Sequence, residues 1–178
     1  MESCRSECKG YVQVYTGNGK GKTTAALGLA LRAVGAGKRV YIAQFAKGRE
    51  YSELKSLKRF YPRITVKQFG LKSFIRGKAS AKDVTAARCG LEAAGRAIRS
   101  GKFNLVILDE ANIATYFNLF RAESLLALLR DRPPHVEIVI TGRYADKKII
   151  EAADLVTEMR EIRHYYAKGV KARQGIEH

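Results

Sequence analysis

Between an alternating apolar run at residues 11–15 and an Ala/Leu-rich segment beginning at residue 23 lies the stretch Thr16-Gly-Asn-Gly-Lys-Gly-Lys-Thr-Thr24. The run before it, Tyr-Val-Gln-Val-Tyr, reads as a short strand, because β-branched and aromatic residues suit a pleated surface and a glycine-rich turn stops it. Residues 23–36 carry Ala26, Leu27, Ala30, Leu31 and Val34 at helical spacing and close on Gly35 and Gly37. Strand, glycine loop, Gly-Lys-Thr and helix together make a phosphate-binding loop. Its glycines let backbone N–H groups converge on phosphate oxygens, and the helix N-terminus adds partial positive charge. The candidate nucleotide contacts are therefore Gly17, Asn18, Gly19, Lys20, Gly21, Lys22, Thr23 and Thr24, with Lys22 reaching the terminal phosphates and the Thr23 hydroxyl on a magnesium ion. One position departs from G-x-x-x-x-G-K-[ST]: Thr16 stands where the pattern has glycine. Glycines at 17, 19 and 21 keep the loop flexible, and Gly-Lys-Thr at a helix start separates it from an ordinary glycine-rich turn.

The rest of the chain alternates strands and helices. Strands are expected at residues 39–45, 64–69, 103–109, 136–141 and 155–159. Helices are expected over 81–100, 122–130 and 146–153, with a shorter one from a cap at Ser52 to Phe60. Residues 111–120 are apolar without a clean period, and their structure stays open. The 81–100 helix aligns Val84, Ala87, Leu91, Ala94 and Ile98 on one face. Before it, residues 70–80 form a basic loop in which Leu71, Phe74 and Ile75 are interleaved with Lys72, Arg76 and Lys78. Leu-Val-Ile-Leu followed by Asp109-Glu110 is a buried strand ending in acids, downstream of a phosphate loop. That order places Asp109 at the magnesium ion, usually through water. These alternations predict one α/β domain over residues 1–178: a doubly wound, mostly parallel, six-stranded sheet with ligands at the strand C-termini, and a flexible N-terminus at 1–9.

Composition narrows the setting. Lys plus Arg number 33 against 17 Asp plus Glu, a formal net charge of +16, which favours a polyanionic partner: nucleic acid, an acidic membrane surface or a phosphate-rich small molecule. No run of about 18 apolar residues occurs, and the first nine residues lack the apolar stretch of a signal peptide, so a cytoplasmic chain without a membrane span is expected. Its three cysteines, Cys4, Cys8 and Cys89, are too few and too unevenly placed for a disulfide framework. Cys4 and Cys8 alone do not close a metal tetrahedron.

Several segments together resemble a known family along nearly the whole chain. They are the phosphate loop, Arg32-Ala-Val-Gly35, Gln44-Phe-Ala-Lys-Gly48, Leu108-Asp-Glu-Ala-Asn112, Thr141-Gly-Arg143, Ala152-Ala-Asp-Leu-Val-Thr-Glu-Met159 and Gly169-Val-Lys-Ala-Arg-Gln-Gly-Ile176. They resemble the ATP:corrinoid adenosyltransferases of the phosphate-loop type, which make adenosylcobalamin. The resemblance implies a RecA-like phosphate-loop NTPase fold, a homodimer, and transfer of the 5′-deoxyadenosyl group of ATP to the cobalt of a reduced corrinoid with release of triphosphate. It also implies an electron-donating reductase as a partner, and neither nucleic acid nor membrane. The cobalt(I) ion of the corrinoid is the nucleophile, so the protein supplies positioning and charge stabilisation. Lys22, Thr23, Asp109 and Glu110 are then the catalytic set, with Mg²⁺ on Thr23 and Asp109. Glu110 orients metal-bound water or serves a structural hydrogen bond, and Arg143 contacts the triphosphate; Arg32 and Lys47 are weaker candidates. In the family, bulky apolar side chains in the loop after the third strand displace the lower cobalt ligand, and in some members that loop has a Phe-x-Trp pair following a glycine. Here Gly70 is followed by Leu71-Lys-Ser-Phe-Ile75 and the chain has no Trp. Leu71 and Phe74 are the chemical candidates for that corrinoid wall, with Phe69 as readily a core residue. The alternative is a RecA-like nucleic-acid-dependent ATPase, followed by a phosphoryl-transfer kinase.

Overall fold

The computed structural model describes residues 9–72, 75 and 77–177. Six strands form one parallel sheet: β1 (Val12–Thr16), β2 (Val40–Phe45), β3 (Ile64–Phe69), β4 (Leu105–Asp109), β5 (Glu137–Thr141) and β6 (Leu155–Glu158), in the spatial order β3-β2-β4-β5-β1-β6. All five strand pairings are parallel. The helices are α1 (Lys22–Gly35), α2 (Ser52–Leu57), α3 (Ala81–Arg99), α4 (Ala111–Tyr116), α5 (Ala122–Arg130) and α6 (Lys147–Glu151). This is the doubly wound α/β architecture expected of a phosphate-loop NTPase-like domain.

Two apolar layers explain why β2 and β4 are buried at every position. Val40, Ile42, Leu105 and Ile107 face one layer, with Ala26, Ala30 and Ala33 of α1. Tyr41, Ala43, Phe45, Val106 and Leu108 face the other, with α3, α4 and α5. The α1 stripe is built from alanines, so the helix lies close to the sheet and Leu31 turns to solvent, contrary to its expected place on the inner face. The α3 stripe is likewise small: Ala87, Gly90, Ala94 and Ala97 are buried, with Ile98, while Val84 and Leu91 pack at its margin. Ser80 and Asp83 close a capping box at its start, each side chain accepting from the other's backbone N–H.

Other expectations shift. The cap of α2 is Tyr51, and Ser52 is its first helical residue. Asp146 caps α6, its carboxylate accepting from the Lys148 N–H at 2.8 Å. The open stretch after Glu110 folds as α4, with Ala111, Asn112, Ala114 and Thr115 buried. All four residues of β6 are exposed, leaving one sheet edge bare with Leu155 and Val156 on it. Among the described residues no helix is long and apolar enough to cross a membrane. Cys89 is a free, exposed thiol; Cys4 and Cys8 lie outside the described residues, as does most of the expected flexible N-terminus.

Candidate functional site

The C-terminal ends of β1, β4, β5 and β2 lie side by side, and the site is assembled from the residues that leave them. At β1 the odd position of the phosphate loop finds its reason. Thr16 is the last strand residue, paired in register with Glu158, and its carbonyl accepts from the Met159 N–H at 2.8 Å. An extended residue needs no glycine. The tight approach comes one residue later: Gly17 has φ +93°, and a Cβ there would lie 2.4 Å from the Met159 carbonyl oxygen. Gly19 donates its N–H to the same oxygen at 2.7 Å. Strand β6 thus fixes the outer wall of the loop.

Inside the loop, Lys22 is buried and its Nζ donates to the carbonyls of Gly17 at 2.7 Å and Gly19 at 2.6 Å. Burial pulls its pKa below the ordinary lysine value, with the Glu110 charge acting upwards and the Arg143 charge downwards. Asn18 and Thr24 are exposed. Lys20 points the other way, to the C-terminal segment, where its ammonium meets Glu177 Oε1 at 2.7 Å and the Tyr165 hydroxyl at 3.0 Å. Tyr165 also donates to Glu177, and Arg173 pairs with the same carboxylate at 3.1 Å. The basic tail therefore lies back on the phosphate loop.

Asp109 is the hub. Its Oδ1 accepts from the Thr23 hydroxyl at 2.8 Å and the Thr141 hydroxyl at 2.7 Å. Its Oδ2 accepts from Gln44 Nε2 at 3.1 Å and Lys47 Nζ at 2.8 Å. Burial acts to raise its pKa, but the Lys47 charge and these hydrogen bonds outweigh it, and the carboxylate is held below the usual range. For Lys47, burial lowers and the Asp109 carboxylate raises, with a net shift upwards. Glu110 follows in left-handed conformation at φ +60°, and its N–H donates to Thr141 Oγ1 at 3.0 Å. Burial and then the neighbouring Asp109 charge push its carboxyl up. Arg143 is exposed just beyond β5, close enough for its charge to act on Lys22 and Glu110. Arg32 sits in the last turn of α1, ten residues from Lys22 and so about 15 Å along the helix axis. It is not brought to this site.

A half-buried hydroxyl bonded to a buried, ionised carboxylate beside a phosphate loop is a donor set that suits magnesium, which binds through few protein oxygens and keeps several waters. Three further residues gather here. Gln44 is the one amide in an otherwise apolar strand, Thr141 ends β5, and Lys47 arrives with the loop after β2; the register Gln44↔Asp109 brings the first and last to the carboxylate.

The family model described as ATP:corrinoid adenosyltransferase BtuR/CobO/CobP matches residues 8–178. The chain belongs to this adenosyltransferase family. The corrinoid adenosyltransferase of Escherichia coli K12 is 36% identical over 171 residues, which span 96% of this chain and 86% of the relative. The corrinoid adenosyltransferase CobA of Salmonella typhimurium is 36% identical over 173 residues, 97% and 87% of the two chains. That of Pseudomonas aeruginosa is 34% identical over 170 residues, 95% and 84%.

The two residues expected to face a corrinoid in this adenosyltransferase fare differently. Leu71 is half-buried beside β2, its backbone packed against Gly48, where a Cβ would lie 2.6 Å from the Leu71 carbonyl carbon. Phe74 lies outside the described residues. Phe69 is half-buried and packs against the core: its ring stands 6.3 Å from that of Phe45 and packs on Gly90 of α3.

Proposed function

We propose that this adenosyltransferase transfers the 5′-deoxyadenosyl group of ATP to the cobalt of a reduced corrinoid and releases intact triphosphate. The carrying observation is the phosphate loop whose Thr23 hydroxyl meets Asp109 at 2.8 Å, with Lys22 buried in the loop beneath the space a polyphosphate would occupy. Cobalt(I) of the substrate attacks the 5′-carbon, the Co–C bond forms as the C–O bond to the α-phosphate breaks, and the bond's electron pair leaves with triphosphate. The protein then has to hold ATP in line and stabilise a leaving group of high negative charge. Lys22, the loop N–H groups and the N-terminus of α1 are suited to that work, and Arg143 adds a cation from the β5 side. Thr23 and Asp109 would hold Mg²⁺, which when bound neutralises polyphosphate charge as a Lewis acid. Glu110, next to Asp109 and with its carboxyl pKa raised by burial and then by the Asp109 charge, would hydrogen-bond water in the metal's shell.

Leu71 would contribute to the apolar wall against the corrinoid, since a large apolar side chain excludes a lower axial ligand; Phe74, the other candidate, lies outside the described residues. An electron-donating reductase supplies the electron for cobalt(I), and the net charge of +16 suits an acidic docking partner. The exposed edge of β6, with Leu155 and Val156, supports a homodimer. The test is anaerobic incubation with ATP, Mg²⁺ and chemically reduced cob(I)alamin. Visible spectra should show the alkylcobalt product, and no product with a folded, metal-loaded protein would reject the proposal.

A further inference from the structure

Lys47 places its ammonium at the two oxygens that would hold the metal: Nζ lies 2.8 Å from Asp109 Oδ2 and 3.3 Å from Thr23 Oγ1. The lysine side chain is 14% exposed and that of Asp109 1%. A charge so deep is stable only with a partner, and the partner here is a carboxylate whose other contacts are neutral donors. The backbone that presents the lysine is fixed. Ala46 holds φ +51°, and the chains at 46–48 and 70–71 press together: a Cβ on Gly48 would lie 2.4 Å from the Gly70 carbonyl oxygen, and one on Gly70 2.4 Å from the Lys47 nitrogen. Only the side chain can swing. The Tyr51 ring, 5.4 Å from Nζ, gives the ammonium a second surface to rest on.

A divalent ion and an ammonium on the same pair of oxygens repel, and in a water-poor site that repulsion is weakly screened. We propose that Lys47 is the resident cation of the nucleotide-free site: it holds Asp109 and Thr23 in position and competes with the divalent metal, which enters by displacing it. The inference rests on reading Thr23 and Asp109 as the metal's ligands. It has a consequence for binding order. Metal alone must break the Lys47–Asp109 pair and leave the ammonium to the Tyr51 ring and the more distant charges of Glu110 and Glu53, whereas metal arriving with a polyphosphate brings an anion to receive it. Lys47 is thus a positioning residue that couples metal binding to nucleotide binding.

Mn²⁺ is a suitable probe, because its free form is counted by electron paramagnetic resonance without turnover. In the absence of nucleotide, Lys47→Met should bind Mn²⁺ at least about tenfold more tightly than wild type, since removing a competing buried cation is worth more than one such factor. The added Asp109→Asn change should abolish that gain. Equal Mn²⁺ affinity in wild type and a folded Lys47→Met, with both lost on Asp109→Asn, overturns the proposal and leaves the metal reading standing. Binding that does not depend on Asp109 in any variant overturns the metal reading and the proposal together. Should Lys47→Met fail to fold, Lys47→Gln serves in the same measurement. Wild-type protein gives a second readout. Lys47 should resist acylation when metal-free and become reactive as Mn²⁺ is added; unchanged protection at saturating Mn²⁺ contradicts displacement.

Discussion

At the scale of single residues, Lys22 and Glu110 make opposite demands on the site. Lys22 is already bound to two loop carbonyls, so it is held where phosphate would arrive. Removing it deletes a charge-assisted contact worth about 1.5–3 kcal/mol, and Lys22→Ala should lower kcat/KM by roughly ten- to hundredfold or more while the circular dichroism spectrum stays native. Steady-state adenosylation rates check this, and wild-type rates in the variant would contradict it. Glu110 titrates higher in the folded chain than in the unfolded one, through burial first and the Asp109 charge second. The folded state then keeps this proton longer, so stability falls as pH rises from about 4, the unfolded carboxyl value, to the folded one, and stays lower above it. Glu110→Gln removes that loss. In metal-free buffer it should match wild type below about pH 4 and be the more stable protein at neutral pH. Denaturant midpoints across pH decide the matter; a variant less stable at pH 7 would show that Glu110 earns its place by pairing.

At the scale of elements, α3 shows how closely the layers are set. A Cβ on Gly90 would lie 2.6 Å from Phe69 Cγ and 2.9 Å from Phe45 Cε1. Alanine is intrinsically favoured over glycine in a helix by about 1 kcal/mol, but overpacking costs about 1–3 kcal/mol. Gly90→Ala should therefore destabilise the fold by about 1 kcal/mol, read as a lower urea midpoint; a stabilised variant would mean that α3 can shift away from the sheet. The main strands and α1, α3 and α5 were legible because their patterns are local: alternation or unbroken apolar runs for strands, a 3.6-residue stripe for helices. The six residues of α4 escaped because four of them are buried, so no polar face marks the period. Leu31 and Ser52 misled for related reasons. A stripe of alanines can replace leucine where a helix lies close, and a serine before an apolar stretch marks a start only to within a residue.

At the scale of the whole molecule, the parallel sheet decides which residues meet. Thr23 and Asp109 were legible as a pair because the order of phosphate loop and acid-ended strand is itself a pattern. The contact of Lys47 with Asp109 was not, although Lys47 stood as a weaker triphosphate candidate, and neither were Gln44 and Thr141, because their place at Asp109 depends on β2 and β5 flanking β4, a non-local fact that no window of sequence contains. Likewise the hold of β6 on the phosphate loop, and of Glu177 on Lys20, joins residues more than 130 positions apart. Product stoichiometry in a single anaerobic reaction of ATP with cob(I)alamin and Mg²⁺ separates adenosyl transfer from phosphate hydrolysis. Intact triphosphate should appear in equal amount with the adenosylated corrinoid, without ADP. ADP and orthophosphate in equal amounts, with the corrinoid unchanged, would contradict it.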